Sequence, residues 1–207
     1  MIVMEILSIK LKNNRTSTIF SISTDTGEFR MHSDVIVKYS VHIGQMSDDK
    51  FFSALSESEI LIAFNLVSKY LNSRMKSERE IRDYLRKKDF SPSTIKGVIE
   101  KLREYKIIDD ETYADTFIRT RQNESKQKIK QKLISKGIKA DIIDEHLRDV
   151  DDFDACLNSA KKYMKNKVID RSAIEKLYRH LISKGYTYDV VRRAVSIATS
   201  EDVEDLE

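Results

Sequence analysis

Residues 125–147 read S-K-Q-K-I-K-Q-K-L-I-S-K-G-I-K-A-D-I-I-D-E-H-L, a short basic helix, a Lys136-Gly137 turn and a second helix with an apolar stripe. Leu133 stands four residues before Gly137. The same relation recurs at Leu85, four before Asp89, and at Leu181, four before Gly185, so the three leucines are spaced 48 residues apart. A residue with an apolar body follows each turn, at Phe90, Ile138 and Tyr186. A helical stripe comes next in each case: Ile95, Val98, Ile99 and Leu102; Ile142, Ile143, His146 and Leu147; Val190, Val191, Ala194 and Val195. One supersecondary unit is written three times, the signature of a repeat array.

Composition agrees with helices. Five Gly and one Pro in 207 residues fall far below the usual ~7% and ~5%, which argues against long irregular loops and an all-β fold. Charged residues make up 34% and hydrophobic ones 40%, a balance suited to thin helical layers with wet outer faces. The start lacks a basic segment followed by an apolar run, and no uncharged apolar stretch reaches about 18 residues. The expectation is a cytoplasmic protein with no membrane partner. Cys156 stands alone, so no internal disulfide forms, which fits a reducing compartment.

The net charge of +3 hides an uneven distribution. Residues 200–207 hold five of the 34 acids and no base, which leaves 29 acids against 37 bases in the body. Within residues 117–139, Arg119, Arg121, Lys126, Lys128, Lys130, Lys132, Lys136 and Lys139 face Glu124 alone. Such a field points to a polyanionic partner or an acidic protein surface.

The first thirty or so residues stand apart from the repeat. Leu7, Ile9 and Leu11 alternate with Ser8, Lys10 and Lys12, Phe20 and Ile22 with Ser21 and Ser23, and Phe29 and Met31 flank Arg30. Period-two alternation predicts half-buried strands. Turns at Asn13-Asn14-Arg15 and Asp25-Thr26-Gly27 make them a three-stranded antiparallel meander. Ser33-Asp34 caps a short helix over 35–39, although Val35, Val37, Tyr39 and Val41 also fit a strand. A meander this small needs a neighbour to cover its apolar face, and the first repeat is the nearest.

Repeat one follows Gly44 and a polar linker, 45–50. Ser56-Glu57-Ser58-Glu59 and Ser77-Glu78-Arg79-Glu80 both have the form of a capping box, and Ser91-Pro92 places the sole proline at a helix start. Repeat two opens at Asp109-Asp110 and its basic helix at Ser125; Lys128 and Lys132 share one flank of that helix, and Lys130 lies on the other. Repeat three opens at Asp151-Asp152, continues from Asp170 or Ser172, and ends in a helix capped by Thr187. The expected architecture is mainly α: a β-rich segment with a short helix (1–45), then three-helix repeats over 54–105, 106–150 and 151–199, then an acidic, unstructured tail (200–207). Stacked units of this kind predict an elongated, curved row, with no second copy needed to close it, hence a monomer.

Catalytic chemistry is nearly absent. His32, His42, His146 and His180 are scattered, without metal-ligand spacing, and no phosphate-binding glycine loop occurs. His146 lies in an apolar stripe and reads as a core-edge histidine, Cys156 as a buried thiol, and the paired aspartates as caps. No metal, cofactor or enzymatic activity is expected. The basic cluster is either a solvated helix face or a contact with an anionic surface, and its lack of acids favours contact. Few aromatics lie among these bases, which argues against base stacking as its main mode.

The string Tyr70-Leu71-Asn72-Ser73-Arg74-Met75-Lys76-Ser77-Glu78-Arg79-Glu80-Ile81, then Ile108-Asp109-Asp110 with Tyr113-Ala114 and Arg121, then Lys136-Gly137-Ile138, resembles the RecX family of recombinase regulators. In that family Y-L-x-x-R-x-x-S-E-x-E-[LI], D-D-x-x-[YF]-A and K-G-I segments recur in this order. The likeness spans about residues 54–198, and the β-rich start resembles longer members from Gram-positive bacteria. The resemblance implies a tandem array that binds the RecA recombinase filament in its helical groove and inhibits filament growth, ATP hydrolysis and strand exchange, with DNA met as part of the filament or weakly alone. On this reading Arg119, Arg121, Lys126, Lys128, Lys130, Lys132 and Lys136 carry the contact, with Arg74, Lys161, Lys162 and Lys165 secondary. Arg74 and Arg121 match family positions; the lysines follow from charge. Two alternatives are a stand-alone DNA-binding protein with helix-turn-helix-like units and a protein-interaction scaffold unrelated to recombination.

Overall fold

The computed structural model describes residues 3–11 and 18–204, with side chains described to 200; the turn expected at Asn13-Asn14-Arg15 lies outside them. Strands β1 (Val3–Leu11), β2 (Ile19–Thr24) and β3 (Gly27–His32) pair antiparallel as alternation predicts. A fourth strand, β4 (Gly44–Ser47), pairs with the free side of β1, giving the order β3-β2-β1-β4. The sheet therefore has one strand more than expected. Met46 pairs with Met4 and Gly44 with Ile6 where the sequence reads as a linker. Four residues with one large apolar side chain are too few to show a period.

The buried face also differs from the expected one. Met4, Ile6, Ile22 and Met31 are buried, whereas Leu7 is 54% and Leu11 43% exposed. A bulge between Ile6 and Ser8 shifts the register so that Ile9 pairs with Ile22, because an extra residue re-aims the side chains that follow it. Helix α1 (Ser33–Tyr39) forms, but its cap is His32, whose Nδ1 accepts from the Asp34 N–H at 3.3 Å.

Helix α2 (Asp48–Leu71) begins two turns before the expected capping box. That box is not a helix start. Ser58 is buried and its Oγ accepts from the His32 N–H at 2.7 Å, Glu57 accepts from Lys38 and Tyr39, and Glu59 accepts from the Thr94 hydroxyl at 2.9 Å. The extra turns carry Phe51 and Ala54 under the sheet, while Ala63 and Val67 join the core of repeat one. By length and composition α2 is apolar enough to cross a membrane. In this fold it is the helix shared by two cores, and it gives the small sheet the cover it needs.

Repeat one is completed by α3 (Glu78–Arg86) and α4 (Pro92–Glu104). Ser77 and Glu80 form the predicted capping box, and Pro92 stands in the first turn behind Ser91, which accepts from the Thr94 N–H. Leu85, Val98 and Leu102 are buried against α2. This repeat and the sheet form one compact unit, which ends at Ile108.

The second unit starts at Asp109. It holds α5 (Asp110–Arg119), α6 (Lys126–Ser135), α7 (Ala140–Leu147), α8 (Phe153–Met164), α9 (Arg171–Ser183) and α10 (Tyr188–Glu204). Asp109, Ser125 and Asp170 cap α5, α6 and α9 through their side chains. Each triplet has its own core, Phe117, Ile129, Leu133 and Ile143 in one and Cys156, Met164, Leu177, Leu181 and Val191 in the other. Residues 201–204 continue α10 rather than starting an unstructured tail, since extending a formed helix adds a hydrogen bond per residue fixed; 205–207 lie outside the described residues.

The 48-residue period has a backbone cause. At the ends of α3, α6 and α9, the N–H of Phe90, Ile138 and Tyr186 reaches back to the carbonyl of Leu85, Leu133 and Leu181 at 3.3, 3.1 and 3.4 Å. Asp89, Gly137 and Gly185 take positive φ (60°, 82° and 90°) between them, and their N–H groups bond to Arg86, Ile134 and Ile182. This is the Schellman pair of bonds, which satisfies the last helix carbonyls and brings the leucine against the apolar residue after the turn. The leucine, the left-handed residue and the apolar residue recur together because one motif requires all three.

Candidate partner interface

The turn between α5 and α6 sets the geometry of the basic stretch. Thr120 ends α5, and Arg121 lays its guanidinium over the ring of Phe117, 3.7 Å from the centroid. Four residues apart on a helical path, these two side chains meet directly. Glu124 then precedes the Ser125 cap and reaches back over the first turns of α6. Its carboxylate accepts from Lys132 Nζ at 2.6 and 2.7 Å, and lies 3.9 Å from Lys128 Nζ and 4.0 Å from Arg121 Nε. Three cations meet one carboxylate, a local excess of two positive charges.

The predicted split of the α6 lysines holds. Lys128 and Lys132 share the Glu124 flank, and Lys130 pairs with Asp144 of α7 on the other. The expectation that acids scarcely balance this stretch does not hold in three dimensions: Asp144 takes Lys130 and Asp115 lies 3.6 Å from Arg119. Both acids lie outside residues 117–139, Asp115 one turn before Arg119 on α5 and Asp144 on α7. Arg121, Lys128 and Lys132 are brought together; Lys130 and Arg119 are drawn to other carboxylates.

The remaining residues are dispersed. Lys126 sits at the start of α6 with Nζ 3.4 Å from the Arg148 carbonyl. Lys136 is the C-cap of α6. Lys161, Lys162 and Lys165 are exposed at the end of α8, and Arg74 is exposed between α2 and α3 in the first unit.

The start of α6 is held from repeat three. Asp152, expected to cap α8, makes no capping bond to its own helix; its Oδ2 accepts from the Lys126 N–H at 2.8 Å. Asp151 binds the Phe153 N–H at 2.9 Å. Ser125 Oγ accepts from the Lys128 N–H at 3.3 Å and donates to the Lys184 carbonyl at 2.7 Å. A carboxylate and a hydroxyl at a helix N-terminus satisfy free N–H groups and favour the positive end of the dipole, so the platform of the lysines is fixed before any partner arrives.

Sequence reasoning missed a second group in repeat three. The rings of Tyr163 and His180 lie 4.6 Å apart, Lys167 Nζ sits 3.3 Å from the Tyr163 centroid, and Lys184 Nζ bonds to Ser159 Oγ at 2.8 Å. Only the Tyr163/Lys167 spacing is visible along the chain. Burial, with Lys184 and Lys167 adding to it, holds His180 below the ordinary histidine range. Among the described residues no cluster of His, Cys, Asp or Glu has the make-up of a metal site. Cys156 is buried, and burial first and Asp152 second push its thiol up to about 11.

The chain matches family models described as the first, second and third three-helix domains of RecX, over residues 63–102, 109–147 and 149–195. It is 30% identical over 207 residues to regulatory protein RecX of Clostridium perfringens (strain SM101), covering 96% of this chain and 98% of that protein. With regulatory protein RecX of Clostridium beijerinckii the identity is 34% over 186 residues, covering 86% and 87%. Among solved structures, a crystal structure of regulatory protein RecX superposes with a TM-score of 0.70 at 21% identity, covering 91% of this chain and 97% of that one. RecX from Lactobacillus salivarius gives 0.63 at 24% identity, covering 68% and 97%. At these identities the two structures speak for the fold.

Proposed function

Because the chain belongs to the RecX family of regulatory proteins, we propose that it is a negative regulator of homologous recombination that binds the RecA–DNA filament in its groove and inhibits filament extension, ATP hydrolysis and strand exchange. The observation that carries this reading is the convergence of Arg121, Lys128 and Lys132 on the single carboxylate of Glu124. A surface with more cations than it can neutralise favours an anionic partner, whether a carboxylate of the recombinase or a phosphate of its DNA.

Arg119, Arg121, Lys126, Lys128, Lys130, Lys132 and Lys136 form the primary contact, with Arg74, Lys161, Lys162 and Lys165 secondary. Each exposed pair contributes little alone and is screened by salt. Several repeats on one chain engage several filament subunits together, and effective concentration multiplies weak contacts. The protein acts as a cytoplasmic monomer, and DNA alone binds it more weakly than the filament does.

The test is the DNA-dependent ATPase of a RecA-type recombinase on single-stranded DNA, with this protein added at about a tenth of the recombinase concentration, where one chain must act on many subunits. Inhibition at that ratio is the expected result. Full ATPase activity with the two proteins at equal concentration overturns the reading.

A further inference from the structure

Outside the stretch that is most basic in sequence, a second group of cations lacks carboxylates among the described residues. Lys128, Lys130 and Lys132 all have acidic partners, whereas none of the ion pairs among the described residues involves Lys162, Lys165, Lys167 or Lys184. Two of these cations, Lys167 and Lys184, flank a pair of rings. Tyr163 of α8 packs on His180 of α9 at 4.6 Å with a 32° tilt, Lys167 Nζ lies over Tyr163, and Lys184 Nζ stands at the end of α9 against Ser159. Burial first, and Lys184 and Lys167 after it, disfavour the charged form of His180.

We propose that this α8–α9 face is a binding site for single-stranded nucleic acid, with backbone phosphates on Lys167 and Lys184 and a base against the Tyr163–His180 pair. Phosphates alone explain the lysines; Tyr163 also packs on the core of repeat three, and its ring face under Lys167 is the part that an anion alone does not use. An acidic peptide has the same shortfall. Duplex DNA keeps the faces of its bases inside the stack, so an unpaired strand is the ligand that offers an anion and a ring together. Lys167, on a flexible stem, now covers the Tyr163 ring; an incoming base takes its place and the ammonium swings to the adjoining phosphate. The site needs no recombinase, so it stands or falls apart from the filament reading.

Fluorescence anisotropy of a labelled oligothymidylate, with the full chain and no recombinase, tests it. The Lys167→Gln/Lys184→Gln variant is expected to bind at least about tenfold more weakly and to flatten the log–log salt slope by about 1.4, the value for two lost cations on a single strand. Tyr163→Leu weakens binding to the oligonucleotide but not to inorganic polyphosphate. Lys50→Gln/Lys69→Gln, an equal change of charge on α2, leaves affinity unchanged. Undiminished binding by the Lys167/Lys184 variant, or an equal loss in the α2 control, overturns the site; equal effects of Tyr163→Leu on oligonucleotide and polyphosphate overturn the base contact. A reading free of folding defects comes from the unmodified chain: adding the strand moves the His180 ring resonances. Resonances that stay in place overturn the proposal.

Discussion

Ser125 Oγ donates to the carbonyl oxygen of Lys184 at 2.7 Å across 59 residues of sequence, while the same oxygen caps α6. One hydroxyl thus satisfies a free N–H at the start of a repeat-two helix and a free carbonyl at the end of a repeat-three helix. The approach is close enough that a Cβ on Gly185 would lie 2.9 Å from Ser125 Oγ.

Ser125→Ala therefore removes two bonds, and leaves the Lys128 N–H and the Lys184 carbonyl without them. A destabilisation of about 1–2 kcal/mol is expected, the upper part of the range for an N-cap. Gly185→Ala adds a steric conflict at the same place and a left-handed alanine, and lowers the melting temperature as well. Thermal melts followed by circular dichroism measure both.

The three left-handed turns predict substitutions of opposite sign. Gly137→Ala forces a Cβ into positive φ and destabilises by about 1 kcal/mol, whereas Asp89→Gly relieves that conformation at φ 60° in repeat one and stabilises by a smaller amount. Urea unfolding of both variants against the parent chain gives the two signs directly.

Cys156 is buried on α8, and its thiol stands at about 11, above the ~8.5 of an exposed cysteine. The folded chain holds a proton that the unfolded chain releases. The stabilisation is present in full below the unfolded value and is lost as pH rises through the folded one. A disulfide reagent at pH 8 is expected to label Cys156 only as the chain unfolds; rapid labelling of the native protein contradicts its inward placement.

Glu124 occupies the cations that the filament reading assigns to a partner. Glu124→Gln keeps the shape and removes the charge, so it is expected to strengthen binding to the recombinase filament by a few-fold and to steepen its salt dependence, since the freed Lys128 and Lys132 pair with the partner instead. Filament cosedimentation over a salt series checks this. Weaker binding assigns Glu124 a positioning role instead.

What the chain reveals in one dimension follows the range of the interactions that shape it. Leu133, Gly137 and Ile138 were legible as a repeat because a single local motif fixes all three, and the separation of Lys128 and Lys132 from Lys130 follows from helix geometry alone. β4 was hidden because Gly44–Ser47 carries one large apolar side chain, and its pairing with β1 is set by the sheet. The start of α2 was misread because a Ser-x-x-Glu pattern serves tertiary bonds as readily as caps, here from Ser58 to His32 and from Glu59 to Thr94. In the candidate site the cations were visible, and so was the four-residue spacing of Asp115 and Arg119 on α5, but the hold of Asp144 on Lys130 and the meeting of Tyr163 with His180 depend on how helices pack.

The most direct test of the account is recombinase inhibition by the double charge reversal Lys128→Glu/Lys132→Glu. The variant is expected to retain its helical circular dichroism and melting behaviour and to lose inhibition of the DNA-dependent ATPase at a ratio where the parent chain inhibits it. A folded variant that inhibits as strongly as the parent chain would contradict the assignment of the α6 face to the filament.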